Sequence, residues 1–369
     1  MNNHSRQERH LTRPIRVLSI DDSPFFCKYL TEILGHNKEI ELVGCARDPY
    51  EARDQLRSQP VDVLTLDLEL PRMPGMKFLK LLMEHKPMPV IVLSGLTPPG
   101  SPKAIEALIA GACSVIKKPE SLSSRHDFSE RLIQDIKTAA ASPSWRQRTH
   151  RLTCSFLPDS APQGAHDPTQ IIALGASTGG TQALETVLTM LPDDLPGIVV
   201  VQHIPAGFSA SFAERLDKTC AMEVREAKHG DIVHRGLALI APGDQHMEVR
   251  RVLNQYRVVL HSGPVVEHQR PSVDVLFRSL AKYAGANTIA ALLTGMGRDG
   301  AAGMKMLHDL NAYTLVQDAD SSVVYGMARK AVELNAVDAI VPLEEIADEI
   351  VNALQNSNQP MPIHSYAQE

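Results

Sequence analysis

The chain lacks a basic excess, a long apolar run and a cysteine framework, and each absence removes a class of function. Its 37 Lys and Arg are outnumbered by 43 Asp and Glu, for a formal net charge of -6, which argues against a nucleic-acid partner. No apolar run approaches the roughly 20 residues needed to cross a bilayer, so no membrane insertion is expected. Residues 1–10 carry no apolar core of a secretory signal, and the expected location is the cytoplasm. The five cysteines (Cys27, Cys45, Cys113, Cys154 and Cys220) are odd in number and show no C-x-x-C spacing. They read as separate thiols in a reducing compartment, not as a disulfide frame or zinc site. Tryptophan occurs once, as Trp145. What is present is an ordinary soluble composition, 43% hydrophobic and 22% charged, in 369 residues, enough for two domains with a core each.

One stretch organises the rest. Gln170-Ile-Ile-Ala-Leu-Gly-Ala-Ser-Thr-Gly-Gly180 is an apolar run that ends in small residues before a helical pattern, Thr181 to Met190. This is the grammar of buried strand, tight turn and helix. Glycines flanking Ser177 allow a sharp bend and close approach of a ligand, and amides at the next helix start can stabilise an anion. The turn fits either a nucleophile elbow, since Gly175-Ala-Ser-Thr-Gly179 matches G-x-S-x-G, or a phosphate-gripping loop. It has neither the G-x-G-x-x-G register nor a Walker lysine, which disfavours the nucleotide reading.

In the first part of the chain, short apolar runs alternate with helical patterns: Ile15–Ile20, Pro24–Leu34, Ile40–Cys45, Tyr50–Gln59, Val61–Leu66, Pro89–Leu93 and Ser114–Lys117. Such alternation implies a parallel sheet covered by helices on both faces. Asp21, Asp22, Asp67, Ser94 and Lys118 each follow one of these runs, and ligands of open α/β sheets bind outside the carboxyl ends of strands. Singly, an acidic residue after a strand is commonly a helix cap. Jointly, three carboxylates and an ammonium suit magnesium and a phosphoryl group.

This pattern resembles the receiver domain of two-component response regulators. The resemblance implies that Asp67 accepts a phosphoryl group from a histidine kinase. Asp21, Asp22, Asp67 and the Glu69 backbone carbonyl would hold Mg2+, and Ser94 and Lys118 would contact the phosphoryl oxygens. Pro74 stands where the family has aspartate, and Ser114-Val115 replace its usual Asp-Phe.

Asp127-Phe-Ser-Glu130 fits a capping box for a closing helix that runs to about Ala141. Residues 142–169 then carry Pro143, Pro158, Pro162, Gly164 and Pro168 without periodicity and read as a linker containing Trp145. The end after Gln355 shows no pattern and is expected to be disordered.

Beyond the linker, strand-like runs again end in polar residues: Gly197–Gln202 before His203, Thr288–Thr294 before a glycine-rich turn containing Asp299, and Thr314–Gln317 before Asp318. Ser177, His203 and Asp299 supply the types an acyl-transfer triad needs. A neutral imidazole takes the serine proton, and a carboxylate fixes the imidazole tautomer. The order Ser, His, Asp departs from that of α/β-hydrolases.

Gly-Ala-Ser-Thr-Gly-Gly (175–180), Gln-His-Ile-Pro (202–205), Ala-Pro-Gly-Asp-Gln-His (241–246), Arg-Pro-Ser-Val-Asp (270–274) and Leu-Thr-Gly-Met-Gly-Arg-Asp-Gly (293–300) together resemble the catalytic domain of the chemotaxis protein-glutamate methylesterases. Ala328 replaces the family's proline after Met327.

With the receiver in front, the resemblance implies an α/β chain of two doubly wound parallel-sheet domains. These are a flavodoxin-like receiver over 14–141 and a Rossmann-like catalytic domain over 170–355, joined by the 142–169 linker. It implies Ser177 as nucleophile, His203 as general base and acid, and Asp299 as orienting carboxylate. Backbone amides near Thr178 and Met296 would be the oxyanion donors, and the Thr178 hydroxyl would help hold the histidine. The implied reaction is hydrolysis of γ-glutamyl methyl esters on methyl-accepting chemotaxis receptors, with deamidation of receptor glutamines. No cofactor is implied for the esterase step. A receiver resting over the Ser177 edge, released on phosphorylation of Asp67, would regulate it. The other readings are a receiver-linked nucleotide module and a non-catalytic adaptor.

Overall fold

The structure is a computed structural model that describes residues 13–95, 102–119, 125–141 and 169–357. The chain divides into two compact units. The linker residues 142–168, Trp145 and the end beyond Ser357 lie outside the described residues.

The first unit runs β1 Ile15–Ile20, α1 Pro24–Gly35, β2 Ile40–Ala46, α2 Pro49–Ser58, β3 Val63–Asp67, α3 Gly75–His85, β4 Val90–Ser94, α4 Pro102–Ile109, β5 Ser114–Lys117 and α5 Arg125–Ala141. Its five strands are all parallel in the order β2-β1-β3-β4-β5. All five residues of β3 and of β4 are buried, as expected of central strands covered on both faces. Helix starts follow local chemistry. The Ser23 hydroxyl accepts from Phe26 N at α1, and Asp48 accepts from Tyr50 N and Glu51 N at α2, with a proline in the first turn of each helix. The capping box expected at Asp127 lies inside α5, which begins two residues earlier at Arg125. Cys27 of α1 and Cys45 of β2 are joined as a disulfide, where separate thiols were expected. Packing of α1 on β2 brings together two cysteines whose 18-residue separation carries no pairing signal.

The second unit runs β6 Ile171–Ala176, α6 Gly180–Met190, β7 Ile198–Gln202, α7 Ser209–Asp217, β8 Glu223–Glu226, β9 Ile232–Val233, β10 Leu237–Ile240, β11 His246–Val252, β12 Gln255–His261, α8 Val273–Tyr283, β13 Thr288–Leu292, α9 Ala301–His308, β14 Tyr313–Gln317, α10 Met327–Glu333, β15 Ala339–Val341 and α11 Ile346–Ser357. Seven parallel strands are ordered β15-β14-β13-β6-β7-β10-β8. Strands β11, β12 and β9 form a separate antiparallel sheet that the doubly wound expectation did not include.

Helix α8 is anchored firmly. Val273, Leu276, Phe277 and Leu280 are fully buried in the core of this unit. Truncating Phe277 to alanine would cost about 3–5 kcal/mol. That rigidity matters because the start of α8 meets the candidate site.

Candidate active site

In each sheet the chain order reverses beside a central strand, and the crevice at such a switch point is where α/β sheets bind ligands. In the first unit the reversal lies between β1 and β3, and Asp21 follows one while Asp67 ends the other. In the second it lies between β6 and β13, and Ser177 directly follows β6.

At the first edge, Lys118 Nζ lies 2.6 Å from Asp21 Oδ2 and also bonds Asp67 Oδ2. Asp67 Oδ1 accepts from the Glu69 amide at 2.9 Å, and Asp21 Oδ1 from the Ser23 amide at 3.0 Å. Burial raises the Asp21 carboxyl above its ordinary range despite the hydrogen bond and charge of Lys118. Burial would lower the Lys118 ammonium, but its bonds to the two carboxylates win and raise it. Ser94 closes β4, and its carbonyl accepts from Lys118 N at 2.9 Å, so both reach the same edge. Carboxylate oxygens of Asp21, Asp22 and Asp67 lie within 4.8 Å of one another. An oxygen-only donor set of this kind, two members buried and one exposed, fits a hard divalent ion that keeps part of its water shell.

At the second edge, β6 and β7 pair with Ala176 opposite Gln202, so the next residues, Ser177 and His203, emerge side by side. The His203 amide donates to Ala176 O at 3.0 Å and fixes that register. The glycine at the helix start is required: Gly179, in the left-handed region at φ 77°, turns the chain from Ser177 into α6. His203 Nε2 is 2.6 Å from Asp299 Oδ2. A carboxylate only accepts, so Nε2 carries the proton and the lone pair of the neutral ring lies on Nδ1. That Nδ1 is buried and has no hydrogen-bond partner here. Contacts of this kind often close only when substrate is bound.

Asp299 is 2% exposed and accepts from four donors. Oδ2 takes His203 Nε2 at 2.6 Å and Val273 N at 2.7 Å; Oδ1 takes Ser272 Oγ at 2.7 Å and Asp274 N at 3.0 Å. Burial would raise this carboxyl, but His203, Ser272 and the Asp274 amide outweigh it and leave it below the usual carboxylate range. It is a fixed anion that holds the imidazole in one tautomer.

The Thr294–Gly297 turn packs against Ser177. Ser177 N donates to Thr294 O at 3.0 Å, so the serine's own amide is engaged there. The Thr178 carbonyl accepts from Thr294 Oγ1 at 2.9 Å, and half-buried Met296 lies on the same turn.

Sequence reasoning assigned no role to three residues that hold the site. Gln202 Nε2 donates to Ser177 O at 2.8 Å and to His203 O at 3.1 Å, tying the two elements together. Thr294 and Ser272 are the others. All three lie within the quoted motifs, but nothing in a linear pattern says which way they point. His246, from the same motif set, is buried and bonds the Pro264 carbonyl through Nε2 at 2.9 Å, and burial lowers its basicity. A cavity of about 560 Å³ lined by Gln170, Thr288, His308, Tyr313 and Asp338 sits at the opposite ends of the strands, away from Ser177, His203 and Asp299.

The family model described as "CheB methylesterase" matches residues 172–350, and that of the "Response regulator receiver domain" matches residues 17–127. A protein-glutamate methylesterase/protein-glutamine glutaminase 2 of Syntrophus aciditrophicus is 49% identical over 337 residues, 91% of this chain and 98% of that protein. The protein of like name from Salmonella typhi is 43% identical over 341 residues, covering 91% and 96%. Among solved structures, the CheB methylesterase catalytic domain of Thermotoga maritima is 34% identical and covers 50% of this chain and 98% of its own, with a TM-score of 0.49.

Proposed function

This chain belongs to the protein-glutamate methylesterase/protein-glutamine glutaminase family, and from that premise we propose that it is a phosphorylation-regulated hydrolase of chemotaxis adaptation. It removes methyl groups from γ-glutamyl methyl esters of methyl-accepting receptors and converts receptor glutamines to glutamate. The reading assigns a receiver to 14–141, a linker to 142–169 and the catalytic domain to 170–355. The observation that carries it is the buried His203–Asp299 bond of 2.6 Å beside Ser177 at the switch point of the second sheet.

His203 Nδ1 takes the Ser177 proton as Oγ attacks the γ-carbonyl carbon. The oxyanion is held by backbone amides near Thr178 and Met296, the amide of Ser177 being engaged by Thr294 O at 3.0 Å. Collapse breaks the bond to the methoxy oxygen, which takes the proton from His203 and leaves as methanol. Water then attacks the acyl-enzyme with His203 again as base, and glutamate and free Ser177 result. From a glutamine, ammonia leaves in place of methanol through the same intermediate. None of these steps calls for a cofactor.

In the receiver, Asp21, Asp22, Asp67 and the Glu69 carbonyl would hold Mg2+, which offsets phosphoryl charge when bound. A histidine kinase supplies the phosphoryl group to Asp67, with Ser94 and Lys118 contacting its oxygens. Phosphorylation shifts the population away from a state in which the receiver covers the Ser177 edge.

The test is methanol release from a methylated receptor fragment by the full-length wild type, Ser177→Ala and Asp67→Asn, each with and without acetyl phosphate and Mg2+. Wild type releases methanol, and the donor raises the rate. Ser177→Ala releases none, and Asp67→Asn ignores the donor. Equal release by Ser177→Ala and wild type would overturn the triad, and no release by any form would favour a non-catalytic adaptor.

A further inference from the structure

Resting on the triad reading above, we propose that Ser272 is a positioning residue for the reaction: its hydroxyl holds the Asp299 carboxylate, and through it His203, in the one orientation that turns Nδ1 toward the nucleophile. Asp299 follows two exposed residues, Gly297 and Arg298, which do little to fix its side chain. Its position is instead indexed to α8. Each carboxylate oxygen takes two donors, and three of the four come from residues 272–274 at the start of that helix. Of these three, only the Ser272 hydroxyl is a side chain. It is fully buried and sits on Oδ1, the oxygen that His203 does not use. A donor on Oδ1 opposes rotation of the carboxylate, which would trade the two oxygens and lengthen the 2.6 Å bond to Nε2.

The same hydroxyl oxygen accepts from Val275 N at 3.4 Å and so also caps α8. The two roles can be separated. Glycine caps a helix nearly as well as serine but donates nothing, alanine does neither, and threonine keeps both. Asp274 and His246 also sense the Asp299 charge, and none of these variants alters them.

The experiment measures kcat, KM, the pH profile of kcat/KM and the thermal midpoint of the full chain with acetyl phosphate present, for Ser272→Gly, Ser272→Ala and Ser272→Thr, with Ser177→Ala alongside. A bond to a charged acceptor predicts that Ser272→Gly loses about 10- to 100-fold in kcat. Its KM stays within about threefold, because the substrate is not touched. The acidic limb of the profile moves to higher pH, since a carboxylate short of one donor holds the imidazolium proton more tightly. Its thermal midpoint stays close to wild type, and Ser272→Thr recovers kcat. A wild-type kcat and pH profile in Ser272→Gly, with only Ser272→Ala losing thermal stability, would reduce Ser272 to a helix cap and overturn the proposal. If Ser177→Ala is inactive while Ser272→Gly is unaffected, this assignment alone fails. If Ser177→Ala retains activity, the triad fails and this assignment with it.

Discussion

Gly295→Ala places one methyl group against Ser177, the proposed nucleophile, and measures how tightly the Thr294–Gly297 turn sets it. The backbone φ of Gly295 lies outside the left-handed region, so alanine is tolerated by the main chain and the effect is steric. The new Cβ would lie 2.7 Å from Ser177 Cβ and 2.2 Å from Met327 Sδ. The thioether belongs to fully buried Met327 and must repack. Ser177 Cβ is one bond from the backbone and must move about 0.7 Å to regain the 3.4 Å of ordinary contact. A misplacement near 1 Å costs about 100-fold in rate. A shift of this size therefore predicts a loss of about 10- to 100-fold in kcat, or about 1.4–2.7 kcal/mol of barrier. Overpacking should also destabilise the second unit by about 1–3 kcal/mol. At about 2–4 °C per kcal/mol, that leaves the variant folded at 25 °C. The assay is methanol release at saturating receptor fragment at 25 °C, with folding checked by circular dichroism. Gly35→Ala, whose added Cβ meets nothing within 4 Å, is the control. A folded Gly295→Ala with kcat within about twofold of wild type would refute the argument that this turn positions the serine.

Two further expectations follow from the charged groups. Asp299 has a folded pKa below its unfolded value of about 3.9, so its contribution to stability is full above that pH and is lost as pH falls through the folded value. The gap in urea midpoint between wild type and Asp299→Asn should therefore narrow as pH is lowered from about 6 to about 3, and a constant gap would contradict the depressed pKa. Asp21 is a buried carboxylate whose pKa is raised, so its ionisation costs stability, and in chelator the thermal midpoint of the receiver should fall as pH rises through that value, a fall that Asp21→Asn should lack. Wild type should gain about 1.4 kcal/mol from Mg2+ at tenfold its Kd, and Asp21→Asn much less; equal stabilisation of both forms would remove Asp21 from the metal site.

Much of the fold was legible because parallel strands buried on both faces read as continuous apolar runs. Ile15–Ile20 was found at both ends for that reason, and Ile171–Ala176 at its start, the strand running two residues past Leu174 into the small residues Gly175 and Ala176. The polar residues that close such runs could be read as edge residues from topology alone, which is why Asp21, Asp67, Lys118, Ser177 and His203 were picked out. The antiparallel sheet was missed although its signal is present. Met247, Val249, Tyr256 and Val258 are buried at alternate positions, and the connecting Leu253 and Asn254 both have positive φ, as a two-residue hairpin turn requires. The disulfide left no such signal, since pairing of Cys27 with Cys45 depends on how a helix packs on a strand.

The sequence by itself determined which chemical groups are available and at which end of each strand they stand, because strand period and glycine turns are local properties. Only the tertiary structure decided which atom of each group faces which partner. The His203 lone pair is assigned to Nδ1 because Asp299 takes Nε2, and Asp299 is held there by Ser272, Val273 and Asp274, 25 to 27 residues earlier in the chain. Hydrogen bonds act over about 3 Å in space irrespective of separation along the chain, so the support of the Asp299 carboxylate is invisible until the fold brings its donors together.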